Sequence, residues 1–461
     1  MSTVFERNPF DIYPLVFPVQ NKVDFTITAP SAKRPLIGEY TIAVHRANAG
    51  SPREEFSALN KIEYLCEAEN GKLHFPYTAS AEGEYFIRIY QKETLITQVK
   101  VYALNDDLSG RYPLLGDFHV HSNGSDGQEP TPIVCANYRR KGYDFIVITD
   151  HDRYYPSLDA IAAYQGVEIP LAILPGEEVH LPGTTVHIIN AGGLFSVNGL
   201  LPMKENYLET NGLLEKRRFD DNVQPPDVYK MEDFWSEIHT LEAKLKTEEA
   251  FPENLDCRSY AVCLWIFEKI REANGLGIFC HPNWINDLYQ IPEDFTLYML
   301  EKHPFDAFEV LGGENYYQQN GLQTAMYYNE YQHGRVHPIV GSTDSHSSIA
   351  SNRNWDICST IVFAKSNARR DILDAVQEKY SVAVDTLSKE YRLVGEYRLQ
   401  KYAAFLMESY FPLHNQQTLI DGELMYQYAI GNATKEEVEL IGQRAEKFLQ
   451  KYIRRTELEK R

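Results

Sequence analysis

At 461 residues the chain exceeds what one hydrophobic core normally organises, so two or three domains are expected. Hydrophobic residues at 43% and charged residues at 24% are ordinary for a globular protein, and no window approaches the roughly 20 apolar residues of a membrane span. A formal net charge of −20 repels polyanions, because nucleic-acid binding depends on Lys and Arg displacing counterions, so long nucleic acid is excluded as a substrate.

The amino terminus, MSTVFERNPF, mixes acidic and basic residues and lacks an apolar stretch, so no secretory signal is expected and a cytoplasmic location follows by default. The cysteines Cys66, Cys135, Cys257, Cys263, Cys280 and Cys358 show no C-x-x-C spacing, and several lie in apolar segments. They read as small buried hydrophobes in a reducing compartment.

From Val16 to Leu104 short runs rich in Val, Ile, Tyr and Phe recur between Gly, Asn, Ser and Pro clusters, several alternating with period two. Examples are Val23-Asp-Phe-Thr-Ile-Thr and Gly83-Glu-Tyr-Phe-Ile-Arg-Ile-Tyr. The pattern predicts an antiparallel β-sandwich of the immunoglobulin-like kind over residues 1–110. Its His45 and His74 have no ligand-type neighbour at useful spacing and read as structural.

The polar linker Asn105-Asp-Asp-Leu-Ser-Gly-Arg leads into the stretch that organises the rest, Gly116 to Arg153. There His119 and His121 stand two apart, so on a strand both imidazoles project from one face. A turn, Ser122-Asn-Gly-Ser-Asp-Gly, then a helix from about Pro132 to Lys141, then the apolar strand Phe145-Ile-Val-Ile deliver Thr149, Asp150, His151 and Asp152. Parallel β/α architectures gather chemistry at the carboxyl ends of their strands, and imidazoles beside carboxylates are metal-ligand types.

The β/α rhythm continues with a helix around Ser157 to Gln165, the strand Leu171-Ala-Ile-Leu ending in Pro-Gly-Glu-Glu, and the strand Thr184-Thr-Val-His-Ile-Ile-Asn. Residues 198–254 read as a polar insertion, a lid or a surface excursion, that carries Lys216, Arg217 and Arg218. A helix from Cys257 to Asn274 and strands ending in Cys280-His-Pro, Phe308-Glu-Val and Ser342-Thr-Asp-Ser-His follow. The barrel is expected to close near Thr360-Ile-Val-Phe and the helix Asn367 to Lys379, and residues 386–461 are predicted to be a helical tail.

Nine metal-capable groups thus fall at predicted strand ends: His119, His121, Asp126, His151, Glu178, His187, His281, Asp344 and His346. One catalytic zinc takes about three protein ligands, so a multinuclear site is implied.

The run H-x-H-S-x-x-S-D-G followed by T-D-H-D resembles the opening signature of the PHP (polymerase and histidinol phosphatase) superfamily of metal-dependent phosphoesterases. G-E-E at Gly176 to Glu178, V-H-I-I at Val186 to Ile189, C-H-P at Cys280 to Pro282 and G-S-T-D-S-H at Gly341 to His346 continue the likeness, which covers about Gly116 to Phe363. The resemblance implies a distorted (β/α)7 barrel over 111–385. It also implies two to three divalent Zn, Mn or Fe ions. His119, His121, Glu178 and Asp344 would hold the first, and Glu178 would bridge to a second on His187 and His281. Asp126, His151 and His346 would hold a third.

The expected reaction is hydrolysis of a small anionic phosphoester by a metal-bridging hydroxide, with Glu178, His151 and His281 the catalytic set. Three divalent ions bring +6 against −3 from Asp126, Glu178 and Asp344, a locally cationic pocket in an acidic protein. Glu309 is expected to orient a histidine ligand, and Arg217 and Arg218 to bind substrate. A β-domain ahead of G-D-F-H-V-H-S also resembles the carbaryl hydrolase-like branch, which implies a carbamate or carboxylic ester as the alternative substrate. A non-catalytic PHP module is the remaining reading, marked by lost ligands, and none is missing here.

Overall fold

The computed structural model describes residues 10–29, 35–47, 61–202, 226–248, 251–312, 317–349, 358–386 and 392–455. The chain forms two compact units, one of residues 1–112 with 401–414 and 443–461, the other of residues 113–400 with 415–442. Among the described residues no helix is long and apolar enough to cross a membrane.

In the first unit the strands are β1 (Asp11–Tyr13), β2 (Val16–Pro18), β3 (Val23–Thr28), β4 (Glu39–Arg46), β5 (Lys61–Glu67), β6 (Lys72–Tyr77), β7 (Gly83–Gln91) and β8 (Thr94–Leu104). They make a three-stranded sheet, β1-β3-β6, and a five-stranded sheet, β2-β8-β7-β4-β5. Alternation turns Leu73, Phe75 and Tyr77 of β6 and Tyr85, Ile87 and Ile89 of β7 inward. The sheets meet through aromatic edges, Phe17 to Phe25 with ring centroids 5.1 Å apart and Tyr77 to Tyr85 at 5.7 Å. Pro76, which cannot donate to a ladder, is tolerated because β6 is an edge strand.

The second unit contains β9 (Tyr112–Val120), β10 (Phe145–Ile148), β11 (Ala172–Leu174), β12 (Gly176–Val179), β13 (Ile188–Ala191), β14 (Leu276–Phe279), the short pair β15 (Ile285–Asn286) and β16 (Leu288–Tyr289), β17 (Ala307–Leu311), β18 (Ile339–Gly341), β19 (Cys358–Ala364), β20 (Ser381–Asp385) and β21 (Arg392–Val394). Two large sheets result, β11-β10-β9-β19-β20-β21 and β12-β13-β14-β17-β18. Their ends are joined by single bridges between Val120 and Ser345 and between His151 and Glu178. Strands β10 and β14 are buried along their whole length, which is why they read as unbroken apolar runs. Gly116 is required where the Phe145 ring crosses β9, since a Cβ there would lie 2.0 Å from that ring.

Several expectations are corrected here. The strand foreseen from Thr184 begins only at Ile188 and runs antiparallel to both neighbours, so His187 stands at an amino end, not inside a strand. Of the insertion, 203–225, including Lys216, Arg217 and Arg218, lies outside the described residues. Its second half is no polar excursion: the helix Met231–Glu248 buries Phe234, Ile238 and Leu245, and Glu237 accepts from Trp265 Nε1 at 2.7 Å. Strands β20 and β21 follow the expected closing helix, which runs Arg369–Gln377, and β20 pairs antiparallel with β19. The last helices, Tyr397–Phe405, Phe411–Ala429 and Lys435–Tyr452, divide between the two units.

Candidate metal centre

The H-x-H pair sits at the end of β9, where alternation puts Asp117, His119 and His121 on one side and Phe118 and Val120 on the other. Asp117 is buried and accepts from His119 N at 3.1 Å, Thr343 N at 3.1 Å and Thr343 Oγ1 at 2.6 Å, which ties the strand to the loop carrying Asp344. Burial pushes its carboxyl up to about 7, against the lowering effect of those hydrogen bonds.

The turn after His121 is shaped by Asp150, the first acid of T-D-H-D. It accepts from Ser122 N and Oγ at 2.9 and 2.7 Å and from Ser125 N and Oγ at 2.8 and 2.7 Å. Both serines of S-x-x-S are therefore consumed in folding the loop that presents Asp126. Gly127 follows because a Cβ there would lie 2.7 Å from the Ser122 carbonyl.

Glu178 lies at the centre, buried on β12. Its Oε1 is 2.7 Å from His187 Nδ1, 3.2 Å from His180 Nε2 and 3.5 Å from His281 Nε2. Its Oε2 is 2.8 Å from His151 Nδ1, 3.3 Å from His119 Nε2 and 3.4 Å from His121 Nε2. Asp344 Oδ1 is 2.9 Å from His121 Nε2 and 3.1 Å from His119 Nε2. Asp126 Oδ2 faces His346 Nε2 at 3.3 Å and His151 Nε2 at 3.5 Å.

All nine sequence-predicted ligands are thus brought together. Within 4.8 Å lie the ligand atoms of three overlapping groups: His119, His121, Glu178 and Asp344; Glu178, His187 and His281; and His121, Asp126, His151 and His346. Two of these residues adopt strained backbones, His281 at φ +24° and Asp344 at φ +50°. Non-glycine residues in that region persist where the surroundings over-determine them, as at functional sites.

The donor set fits divalent cations. Glu178 Oε1 and His187 Nδ1 are buried and 2.7 Å apart, yet neither makes a hydrogen bond, and His121 Nδ1 is orphaned as well. Groups left in this state are costly unless a further partner satisfies them. Charge tells the same story. Burial pulls His119 down, but Asp344, Glu178 and Glu309 together lift it well above the ordinary histidine range. His151 is likewise lifted to about 10, burial being outweighed by Glu178 and Asp126. Burial works to raise Glu178, and the surrounding histidines hold it well below the usual carboxylate range. Protons on imidazoles therefore balance these carboxylates where cations would replace them.

Glu309, also buried, places Oε2 3.1 Å from His119 Nδ1 and accepts from His281 N with Oε1 at 3.0 Å. It orients one histidine and the backbone of another. Glu177 points away from the cluster, accepting from Asn190 Nδ2, Ser196 Oγ, Val197 N and Asn198 Nδ2.

No protein-family model and no curated protein matches the chain. Solved structures do. A two-domain protein of Bacteroides vulgatus ATCC 8482, containing a predicted PHP-like metal-dependent phosphoesterase, is 16% identical, with TM-score 0.41 over 65% of this chain and 71% of its own. A protein of Bifidobacterium adolescentis ATCC 15703 assigned as a metal-dependent phosphoesterase is 17% identical, with TM-score 0.31 over 52% of this chain and 92% of its own. An amidohydrolase from Chromobacterium violaceum with bound sulfate and no metal is 15% identical, with TM-score 0.28 over 50% of this chain and 87% of its own.

Two site residues lie outside the nine that the sequence singles out: Cys280, which forms a candidate group with His119 and His281, and His180. His180 Nε2 lies 3.3 Å from His151 Nδ1, and its ring stacks on His187 at 3.9 Å, so His151, Glu178 and His180 form a further candidate group. The signal was present: His180 is two residues beyond Glu178 and therefore on the same side of an extended segment.

Proposed function

We propose that the chain is a PHP-superfamily hydrolase that uses two to three divalent Zn, Mn or Fe ions to cleave small anionic phosphoesters. One observation carries the reading: nine ligand-type side chains, all but the exposed Asp126 buried or half-buried, converge in three groups, two sharing Glu178 and two sharing His121. A site of neutral imidazoles with only three carboxylates becomes cationic when filled, which suits a small dianion and not a long polymer in a chain of net charge −20. The proposed scaffold is a distorted (β/α)7 barrel over 111–385, preceded by an immunoglobulin-like sandwich over 1–110 and followed by a helical extension.

Bound divalent ions would supply Lewis acidity and a nucleophile drawn from water at neutral pH. The protein's own groups hold that arrangement. His119, His121, Glu178 and Asp344 would hold one ion, Glu178, His187 and His281 a second, and Asp126, His151 and His346 a third. Glu309 keeps the His119 ring turned with Nε2 toward Glu178 and Asp344, and Asp150 keeps the loop of Asp126 in place. Of the two histidines in the proposed catalytic set, His151 is 26% exposed and His281 5% exposed, so His151 is the more accessible to a leaving group.

The test is hydrolysis by metal-reconstituted protein of a panel of phosphomonoesters, phosphodiesters, carbamates and carboxylic esters. Metal-dependent turnover of at least one small phosphoester is expected. Activity confined to carbamates or carboxylic esters would replace this reading with that of the carbaryl hydrolase-like branch.

A further inference from the structure

Directly after Cys280-His281-Pro282 the chain makes a tight hairpin that the function above does not use. Strands β15 and β16 pair through Ile285 with Tyr289 and Asn286 with Leu288, and Asp287 takes the left-handed turn position at φ +63°. Leu288 is 78% exposed and Tyr289 42% exposed, so a turn at the edge of a polar centre displays apolar surface to solvent. Scattered exposed apolar residues need no explanation, but contiguous ones beside a site do.

The base of the hairpin is fixed by the ligand-bearing segments themselves. Trp284 N donates to His281 O at 3.0 Å, and Gln290 N donates to Trp284 O at 2.9 Å. The Gln290 side-chain amide donates to Thr185 O at 2.7 Å and lies 2.8 Å from His187 Nε2. Trp284 is partly exposed, and its ring centroid stands 6.2 Å from that of His281 and 6.4 Å from that of His187. Those two histidines and Glu178 form a single ligand group. An indole is thereby held beside two of the three ligand-type residues of that group.

We propose that Trp284, with Leu288 and Tyr289 beyond it, is the wall that receives the leaving group, and that it selects phosphoesters whose leaving group presents a flat apolar ring. The inference rests on the phosphoester reading and adds the substrate class. In the reaction water's oxygen forms the new bond to phosphorus, the bond from phosphorus to the ring-bearing alcohol breaks, and that alcohol leaves with a proton from the water. The wall makes no bond; it positions the ring by stacking, an interaction that tolerates any planar apolar group.

The experiment compares kcat/KM for phenyl phosphate and ethyl phosphate with the metal-reconstituted full chain, its Trp284→Ala variant and its Trp284→Phe variant. The wild type should prefer phenyl phosphate. Trp284→Ala should lower the phenyl-to-ethyl ratio about tenfold with metal content unchanged, and Trp284→Phe should restore most of it. An unchanged ratio in Trp284→Ala overturns the proposal. A second arm needs neither variant nor turnover: calorimetric titration of the wild type with phenylphosphonate and methylphosphonate. Tighter binding of phenylphosphonate supports the wall even if no phosphoester is hydrolysed, which would then count against the catalytic reading alone. Equal affinity, or no binding of either, overturns the wall.

Discussion

Glu178→Gln is the most informative single substitution. Its carboxylate is within 3.5 Å of six imidazoles and belongs to two of the three principal ligand groups. The amide keeps the shape but loses the charge, and an N–H₂ replaces one acceptor. Both of those groups are therefore damaged, as is the further group of His151, Glu178 and His180, while the group of His121, Asp126, His151 and His346 stays intact. Elemental analysis should show the variant retaining about one ion where the wild type holds two or three. Loss of the shared charge removes electrostatic stabilisation, so kcat should fall by at least ~10³. His187→Ala damages one group and should cost less in both readouts. Neutralising Glu178 does not relieve repulsion among carboxylates, because its neighbours are histidines that it raises in pKa, His119 and His151 among them. The metal-free variant should accordingly melt below the metal-free wild type. A Glu178→Gln protein with near-normal turnover and full metal content would refute the reasoning.

Three further outcomes are expected. Glu309→Gln should weaken metal retention about 10–100-fold in a chelator competition, by loosening His119. His337 is buried with neither ring nitrogen hydrogen-bonded, and burial, aided by His303, lowers its pKa from 6.5 to about 4. The folded state resists protonation that the unfolded chain accepts, so this contribution is whole above pH 6.5 and lost as pH falls toward 4. The difference of 2.5 is worth up to about 3 kcal/mol, and a His337→Leu variant should show a shallower loss of stability over that window. Asp421→Ala strips buried Arg139 of one of its two carboxylates, Asp144 remaining, and should cost about 3 kcal/mol in chemical denaturation.

How far the sequence speaks depends on what sets each feature. His119 and His121 are legible from their own two-residue spacing, and Asp126 and His151 from the turn residues and the unbroken apolar strand around them. The roles of Asp150 and of the two serines are not, since their bonds to one another span 25 and 28 residues and leave no local pattern. His187 falls within a strand by its sequence pattern, whereas it immediately precedes β13, whose antiparallel course puts its amino end beside the carboxyl ends of β12 and β14. The choice of Glu178 over Glu177 follows from strand alternation, which turns Glu177 into a cage of four donors. The helix Met231–Glu248 is legible in Phe234, Ile238, Leu241 and Leu245, which recur at helical spacing, although the charges between them give the segment a polar composition. Strands β20 and β21 are short and apolar next to a helical run, where period alone does not separate strand from helix.

The central claim is a multinuclear centre, and counting its ions tests it most directly. The full chain, stripped with chelator, reconstituted with excess Zn, Mn or Fe and desalted, should carry two to three ions per chain by elemental analysis. At most one tightly bound ion, with the nine ligand residues intact, would contradict it.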